Sequence, residues 1–256
     1  MMPTGYAPQL SGLIARSSVA LVRPPSHARR AEARRRLARH SLWLAAGLSA
    51  LIVLLMFGFD ATEIGLMPKR GSPDLWPARI VTDFGKDEYV LLALAAAFAV
   101  LALAYPFMRS AAQPRLASVV VHIEYMFVAV AFPVLLAQIV KWGAGRGRPF
   151  VGGKANAFNF VPFTGTEAYF SFPSAHSVTA FALAFAVTAI WPRLWIAAAV
   201  YALLIGASRL VLLAHHPSDV VGGALIGVVG AMAVRYWFAA RQVGFEIHDG
   251  GKIVSS

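Results

Sequence analysis

The stretch "SFPSAHSVTAFALAFAV", residues 171–187, has a polar beginning and an apolar continuation. Proline suits the first turn of an α-helix, because the N–H group that it lacks has no helical partner there. Serine, alanine and histidine follow Pro173 before the long apolar run starts. A helix needs about 20 mainly apolar residues to cross a bilayer, and this run approaches that length. The stretch therefore predicts a transmembrane helix whose first turn carries polar groups at one membrane face.

The whole chain has the composition of an integral membrane protein. Of its 256 residues, 58% are hydrophobic and only 14% are charged, and its mean hydropathy is +0.64. Such a chain is too apolar for a soluble domain of this size. Six apolar segments are long enough to span a bilayer: residues 41–59, 89–108, 117–140, 174–191, 194–214 and 219–240. None alternates in polarity as a barrel strand does, so the predicted fold class is all-α, a polytopic protein with six transmembrane helices.

Arginine is concentrated in the 40 residues before the first span. Basic residues beside a span favour the cytoplasmic side of the membrane. If residues 1–40 are inside, the alternation of six spans places further cations on the same side: Arg109, Arg115, Arg193, Arg235, Arg241 and Lys252. We therefore predict that both termini are cytoplasmic. The predicted domains are a basic, largely disordered arm at 1–40, a transmembrane domain at 41–240 and a cytoplasmic tail at 241–256.

The net charge of +11 allows other interpretations of this arm. An arginine-rich leader with few acidic residues resembles a transit peptide, and it can also contact anionic lipid headgroups. Because the charge lies beside a membrane span, we predict lipid headgroups and not nucleic acid as its partner. The chain has no cysteine, which excludes disulfides, thiolate metal ligands and a thiol nucleophile.

Three cations fall on the opposite, outer side of the predicted membrane. Lys141 ends the third span, Arg148 follows in a loop with glycines, and Arg209 lies near the outer end of the fifth span. Arginine can bind two oxygens of a tetrahedral anion at once, and lysine adds a point charge. Ser174 and the free N–H groups at the start of the fourth helix add an anion site. This set predicts a phosphate pocket.

Two histidines and an aspartate fall beside these cations in the predicted topology. His176 belongs to the first turn of the fourth span, and histidine titrates near neutral pH, so it can donate a proton to a leaving oxygen. His215 and Asp219 are four residues apart across a turn that contains proline. A carboxylate can hold one imidazole nitrogen and leave the other free to attack. The pair therefore predicts a nucleophile with its orienting partner.

These residues resemble a known family, the type 2 phosphatidic acid phosphatases, which share their site with the vanadium-dependent haloperoxidases. The family pattern is lysine, six residues and Arg-Pro; then Pro-Ser-Gly-His; then Ser-Arg, five residues, histidine, three residues and aspartate. The matching positions are Lys141, Arg148 and Pro149; Pro173, Ser174, Ala175 and His176; and Ser208, Arg209, His215 and Asp219. The resemblance covers residues 141 to about 223, and the six-helix layout is also similar to that of the membrane-bound members.

The resemblance implies a role for each matched residue. His215 would attack phosphorus to form a phosphohistidine intermediate, Asp219 would orient it, and His176 would protonate the leaving group. The phosphate oxygens would be held by Lys141, Arg148, Ser174 and Arg209, with the backbone N–H of residue 175. No metal ion or other cofactor is implied. The register of the pattern selects His215 over its neighbour His216.

The chain departs from the family pattern at Ala175, where the family usually has glycine. Alanine keeps the backbone N–H, and its methyl group is tolerated in a right-handed helical turn. If the site required a positive φ at this position, Ala175 would be strained and the enzyme would be weak or inactive.

The predicted function is a metal-independent phosphatase of the bacterial inner membrane that releases inorganic phosphate from a lipid phosphate or diphosphate at the outer face. Candidate substrates are undecaprenyl diphosphate, phosphatidylglycerol phosphate, phosphatidic acid and lipid A phosphate. The alternatives are a lipid-linked phosphotransferase and an inactive protein that binds or transports lipid phosphates. A transporter or anion channel would also use cations at broken helices, but it would not need His215 paired with Asp219. A haloperoxidase would share the pocket, but those enzymes are soluble.

Other polar and aromatic residues receive structural interpretations. The mixed charges of residues 60–88, which include Asp60 and Glu63, are typical of a solvated loop. We expect a structural or interfacial role for His122 and Glu124. Four glycines of the sixth span, Gly222, Gly223, Gly227 and Gly230, favour close packing between helices. Seven aromatic residues between positions 150 and 172 form an interfacial belt or line the path of an acyl or prenyl chain.

Overall fold

The computed structural model describes residues 19–108, 111–153, 155–247 and 253–255. Predictions that concern residues 1–18, Arg109 and Lys252 lie outside these ranges. In chain order the elements are α1 His27–Gly58, α2 Asp60–Leu66, α3 Trp76–Asp83, α4 Asp87–Ala104, α5 Gln113–Ala144, α6 Ala175–Ile190, α7 Trp195–Val211, α8 Pro217–Ala240, β1 Phe245–Ile247 and β2 Ile253–Ser255. Short 3₁₀ turns cover Pro73–Leu75, Tyr105–Phe107, Glu167–Tyr169 and Pro192–Leu194.

The helices bear out an all-α membrane protein. Five helical segments of the described chain are long and apolar enough to cross a bilayer: His27–Gly58, Pro73–Phe107, Gln113–Ala144, Pro192–Val211 and Pro217–Ala240. α6 is also apolar, but it has only 16 residues. Each of the six predicted segments therefore corresponds to a helix, and five of them reach spanning length.

The first helix begins earlier than the sequence analysis predicts. α1 starts at His27, where the Ser26 side chain accepts a hydrogen bond from the Arg29 N–H and caps the helix. Arginine and alanine, both good helix formers, are frequent between residues 28 and 39. Residues 27–40 of the predicted arm are therefore helical, and the disorder predicted for the arm can concern only the residues before them.

The sequence predicts a solvated loop for residues 60–88, but in the structure this segment is not uniformly solvated. It forms α2 and α3, and its acidic residues Asp60 and Glu63 are only 0% and 1% exposed. Lys69 and Arg70, in contrast, are exposed. The local charge pattern did not predict this burial, because the partner of Asp60 lies far away in the sequence.

α6 and α8 approach each other closely because α8 has glycine at the contact. A methyl group on Gly223 would lie 2.6 Å from the carbonyl oxygen of Ser174, and one on Gly227 would lie 2.5 Å from that of Val178. All four glycines of α8, which the sequence predicts as packing positions, are crowded: Gly222, Gly223, Gly227 and Gly230. The contacts of Gly223 and Gly227 set the first turn of α6 beside the first turn of α8.

α1 and α8 are antiparallel along the bundle. Near one end, His40 Nδ1 is 3.0 Å from the Tyr236 hydroxyl. Near the other end, the Ser218 N–H donates to Asp60 Oδ1 at 3.0 Å. The start of α1 and the end of α8 therefore lie together, and the end of α1 lies beside the start of α8.

The predicted tail contains a β-hairpin, in which β1 pairs with β2 in antiparallel register. The Ser255 hydroxyl donates to the Ile190 carbonyl at 3.2 Å, so the hairpin lies under the C-terminal end of α6. The His122 ring is 6.1 Å from that of Phe245 at the start of β1. His122 thus lies near the hairpin and away from the polar first turns of α6 and α8.

Candidate active site

The site end is the end of the bundle where α5 and α7 finish and α6 and α8 begin. Two of the predicted cations are buried there, at the ends of their helices. Lys141 is 5% exposed, and its Nζ donates to the Phe170 carbonyl at 3.1 Å. Arg209 is 9% exposed, and its Nη1 donates to Thr82 Oγ1 at 2.6 Å. Ser208, the other matched residue of α7, donates its hydroxyl back to the helix.

Arg148 lies nearer the surface than the other two cations. Its side chain is 25% exposed, and its Nη2 is 3.0 Å from Oε2 of Glu167, which is itself largely exposed. The positive charge of Arg148 acts on both Lys141 and Arg209. Arg148 is therefore close enough to each of the two buried cations to interact with it electrostatically.

The first turn of α6 contributes the next group of residues. Ser174 caps the helix with an extended backbone (φ −68°, ψ 115°), and its N–H donates to the Asp219 carbonyl at 3.0 Å. Ala175 is the first helical residue, in a right-handed conformation, so its methyl group is not strained. The N–H groups of this turn are unused by the helix and leave it at the positive end of its dipole.

Among the buried side-chain atoms that have no hydrogen-bond partner within the described residues, four lie in residues that match the family pattern: Arg148 Nε, Ser174 Oγ, His176 Nε2 and Arg209 Nε. Each belongs to a residue of the predicted site. Leaving a buried polar group unpaired costs about 1–3 kcal/mol. An anion with several acceptor oxygens would satisfy the donors in this set, which is the chemistry expected of a phosphate pocket.

His215 lies in the turn between α7 and α8 and is 2% exposed. Its Nδ1 is 2.8 Å from the carbonyl oxygen of Ser171, and this contact requires a proton on Nδ1. Burial lowers the pKa of His215 to about 4, although the nearby Asp219 carboxylate acts in the opposite direction. The imidazole is therefore neutral at neutral pH, with the lone pair on Nε2. The charges of Arg209 and Lys141 reach it.

The sequence predicts a hydrogen bond between Asp219 and His215, but the structure does not contain it. Asp219 Oδ2 is 3.8 Å from His215 Nδ1, which is too long for a hydrogen bond. The Ser171 hydroxyl donates to this oxygen at 2.6 Å, and the His216 N–H donates to it at 2.8 Å. The carboxylate thus holds Ser171, and the carbonyl of Ser171 holds His215.

His216 is also fully buried, at the N-cap of α8. Its Nδ1 is 3.2 Å from Asp219 Oδ2, closer than that of His215. Distance to the carboxylate alone would therefore favour His216, and not His215, as the partner of Asp219. The positive charges of Arg209 and Lys141 act on both His176 and His215. His215 is therefore the histidine of the turn that lies beside the cations.

Arg146 is the residue at the site that the sequence analysis missed. It is 1% exposed, and its guanidinium forms ion pairs with Asp60 Oδ2 at 2.7 Å and Asp219 Oδ1 at 2.6 Å. A signal was available, because Arg146 is a further cation in the stretch between Lys141 and Arg148. No feature of the sequence around Asp60 indicates that it pairs with Arg146.

Glu63, one turn after Asp60, is a second buried carboxylate in α2. Burial raises its pKa to about 7, and the charge of Asp60 adds to this effect. Neither of its carboxylate oxygens has a partner in the part of the chain that the structure describes. In the same ranges, no group of three or more His, Cys, Asp or Glu side chains could hold a metal ion.

Comparison with known proteins adds to this geometry. The model of the PAP2 superfamily matches residues 121–242. A lipid A 1-phosphatase of Rhizobium johnstonii is 31% identical over 201 residues, which are 78% of this chain and 82% of that protein. A protein of Escherichia coli that is assigned by name as an undecaprenyl-diphosphatase is 31% identical over 116 residues, 43% of this chain and 56% of its own.

One solved structure has a similar fold. It is the crystal structure of a transmembrane PAP2-type phosphatidylglycerolphosphate phosphatase from Bacillus subtilis. The two structures align with a TM-score of 0.54 at 22% identity, over 76% of this chain and 94% of the other. At this identity the likeness concerns the fold.

Proposed function

This chain belongs to the PAP2 superfamily of membrane lipid phosphatases, and on that premise we propose that it cleaves its substrate through a phosphohistidine on His215, without a metal ion. The observation that carries the proposal is the state of His215. It is buried and neutral, and its Nδ1–H is held by the Ser171 carbonyl. Its Nε2 is therefore a free nucleophile beside a group of cations.

The proposed reaction has two steps. His215 Nε2 attacks phosphorus and forms an N–P bond, while the P–O bond to the lipid breaks and His176 protonates the departing oxygen. His176 then takes a proton from water, whose oxygen attacks phosphorus while the N–P bond breaks, which releases inorganic phosphate and restores neutral His215. The negative charge of the bound phosphate offsets the surrounding cations and so favours the protonated form of His176 that the first step needs.

The proposed phosphate ligands are those that the sequence predicts. Lys141 and Arg209 are held in place by hydrogen bonds to other elements, and Arg148 would exchange Glu167 for the phosphate. Ser174 and the N–H of Ala175 would bind oxygens at the helix start. Preorganised donors of this kind stabilise the extra charge of the transition state.

The substrate that we propose first is a glycolipid phosphate like the one named in the Rhizobium relative, because that protein matches most of the chain. A polyprenyl diphosphate is the second candidate, since the Escherichia coli relative carries that name. Exposed aromatic rings near the site support an acyl or prenyl path. Phe158 packs on Phe57 at 4.9 Å and Phe163 packs on Trp142 at 4.7 Å.

We also propose that α6 completes a set of six spans in a bacterial inner membrane, with the site end on the extracytoplasmic side and both termini in the cytoplasm. The basic start of α1 lies at the end of the bundle opposite the site, which supports this orientation.

The experiment is a side-by-side assay of purified protein in detergent with chelator present. We expect release of inorganic phosphate from lipid A, undecaprenyl diphosphate, phosphatidylglycerol phosphate or phosphatidic acid, and inhibition by vanadate, which mimics the phosphorane. Analysis of the lipid products separates hydrolysis from transfer, because a phosphotransferase would need an alcohol acceptor and would phosphorylate it. Activity that appears only with added divalent metal would contradict the mechanism, and binding without turnover of any of these lipids would support the inactive alternative.

A further inference from the structure

Arg146 makes more buried polar contacts than the phosphate-binding arginines. Its Nε and Nη2 donate to the Ala157 carbonyl at 3.1 and 2.8 Å. Its Nη1 donates to Ser218 Oγ and to Asp219 Oδ1, each at 2.6 Å, and its Nη2 donates to Asp60 Oδ2 at 2.7 Å. With all three nitrogens occupied inside the protein, Arg146 has no free donor for a phosphate oxygen.

Asp60 brings a distant part of the chain to this arginine. It is the first residue of α2, immediately after the α1 span, and it is 0% exposed. Its Oδ1 accepts from the Ser218 N–H at 3.0 Å, and its Oδ2 accepts from the Ser218 hydroxyl as well as from Arg146. Asp60 therefore fixes both the guanidinium and the first turn of α8.

The contacts of Arg146 and Asp60 also fix the position of the Asp219 carboxylate. Arg146 binds its Oδ1, while its Oδ2 accepts from the Ser171 hydroxyl at 2.6 Å. The N–H of Ser171 donates to the carbonyl of Arg146 at 3.0 Å, and the carbonyl of Ser171 binds His215 Nδ1. Arg146 thus reaches His215 by two connected routes, through the carboxylate of Asp219 and through the backbone of Ser171.

We propose that Arg146 and Asp60 form a positioning pair, which fixes Asp219 and Ser171 and thereby holds His215 in line with the phosphate. The inference rests on the proposed role of His215 as nucleophile. Both members act through other residues and neither touches the substrate. The outer end of the first span is therefore part of the catalytic machinery, although it lies outside the matched family pattern.

A purely structural role would be a weaker explanation of this pair. Buried ion pairs lose much of their Coulomb energy to desolvation, so apolar residues would serve stability equally well. This pair is joined to the carboxylate beside the nucleophile, where a misplacement of about 1 Å can cost 10²-fold in rate. The location therefore favours positioning.

The test compares Asp60→Asn, Arg146→Lys and Arg146→Gln with the wild type, using the lipid phosphate that the substrate panel identifies. Arg235→Gln is the matched control, because Arg235 is a partly buried arginine that donates to the Ile253 carbonyl at the other end of the bundle. The readouts are kcat, KM, the pH dependence of kcat/KM, and the Tm of the detergent-purified protein. Arg146→Lys keeps the positive charge but loses the planar guanidinium, so it distinguishes the effect of the charge from the effect of the guanidinium hydrogen bonds.

We expect the acidic limb of kcat/KM to move in opposite directions when the charge of Arg146 or that of Asp60 is removed. The charged or titratable groups that act on His215 include Asp219 of α8, Lys141 of α5, Arg209 of α7 and His176 of α6. Loss of the Arg146 charge leaves Asp219 uncompensated, which favours the imidazolium and moves the acidic limb of kcat/KM up from about pH 4. Loss of the Asp60 charge moves the limb down.

We expect kcat to fall by about 10-fold or more in Asp60→Asn and Arg146→Gln, with KM changed by less than about 3-fold. Arg146→Lys should keep the wild-type acidic limb but lose kcat. Arg235→Gln should change Tm only. If Arg146→Gln does not fold, Asp60→Asn and Arg146→Lys still decide the question.

Wild-type kcat and an unmoved acidic limb in the folded variants would overturn the positioning pair. A fall in Tm without either kinetic change would do the same. If His215→Asn keeps full activity, the proposed function itself fails. An inactive His215→Asn beside fully active Asp60→Asn and Arg146→Lys would reject only this further inference.

Discussion

At the scale of single residues, adjacent side chains at the site have different environments. His215 and His216 are both buried, and each lies near the same carboxylate of Asp219. His215 donates to the Ser171 carbonyl, and the positive charges of Arg209 and Lys141 act on its ring. His216 is the N-cap residue of α8. The two histidines therefore have different contacts although they are adjacent in the chain, and we expect them to differ in function.

Replacing each histidine by asparagine tests this difference. His215→Asn should lower kcat/KM by at least ~10³-fold, because it removes the nucleophile. His216→Asn should keep activity within about 10-fold, since asparagine is a good N-cap residue and the backbone N–H to Asp219 remains. Both variants are measured by phosphate release, with Tm as the folding control. Equal losses of activity in two folded variants would mean that the assignment of the nucleophile is wrong.

At the scale of elements, the contact between α6 and α8 assembles the site. The first turn of α6 carries the proposed phosphate ligands, and the first turn of α8 carries Asp219. Gly223 lets the backbones meet, because a methyl group there would lie 2.6 Å from the Ser174 carbonyl and 2.7 Å from Ser177 Cβ. The Ser174 N–H then reaches the Asp219 carbonyl at 3.0 Å.

Gly223→Ala should therefore force the two helices apart. Overpacking of this kind costs about 1–3 kcal/mol, and the shift would also disturb the phosphate site. We expect a Tm lower by roughly 3 °C or more, together with a reduced kcat/KM. Gly47→Ala is the matched control, since a methyl group at Gly47 in α1 has nothing within 4 Å. Wild-type Tm and activity in Gly223→Ala would contradict the proposed role of this contact.

At the scale of the whole molecule, the two ends of the bundle differ in chemistry. The site end holds buried charges, while the other end has a groove of about 420 Å³ between α1 and α8. Arg30, Arg34 and Arg241 line it with the apolar side chains of Leu37 and Trp237. Within the described ranges, none of these three arginines has a carboxylate at ion-pair distance. This groove matches the predicted contact with anionic lipid headgroups.

Anionic lipid should therefore stabilise the protein through this groove. We expect phosphatidylglycerol added to the detergent to raise Tm more than phosphatidylcholine does, by a few degrees. Combined substitution of Arg30, Arg34 and Arg241 by glutamine should remove most of that difference. The control is the same substitution of Arg35, Arg39 and Arg193, which lie outside the groove. If both triple variants lose the effect equally, the contact is a diffuse charge effect and not a site.

The sequence by itself determined the apolar helices and predicted the residues proposed as phosphate ligands. A run of about 20 apolar residues forms a membrane helix whatever its neighbours are, because the bilayer leaves the backbone no other partner. The start of α6 was predicted to within two residues, although Pro173 lies before the N-cap Ser174 and not in the first helical turn as the sequence predicts. The spacing of the basic and histidine motifs predicted the residues of the candidate site. The start of α1 was predicted too late, because hydropathy marks the membrane segment and not the end of the helix.

Only the tertiary structure decided how the Asp219 carboxylate is held. Arg146 contacts Asp60 across 86 positions of the chain and Asp219 across 73. Local composition cannot encode such pairs, so Asp60 in the sequence looks like any charged residue of a polar loop. The hydrogen bond from His215 to Ser171, in place of Asp219, likewise depends on which donors already occupy the carboxylate. Burial removes water as an alternative partner, and Arg146 is therefore paired with the buried carboxylates of Asp60 and Asp219.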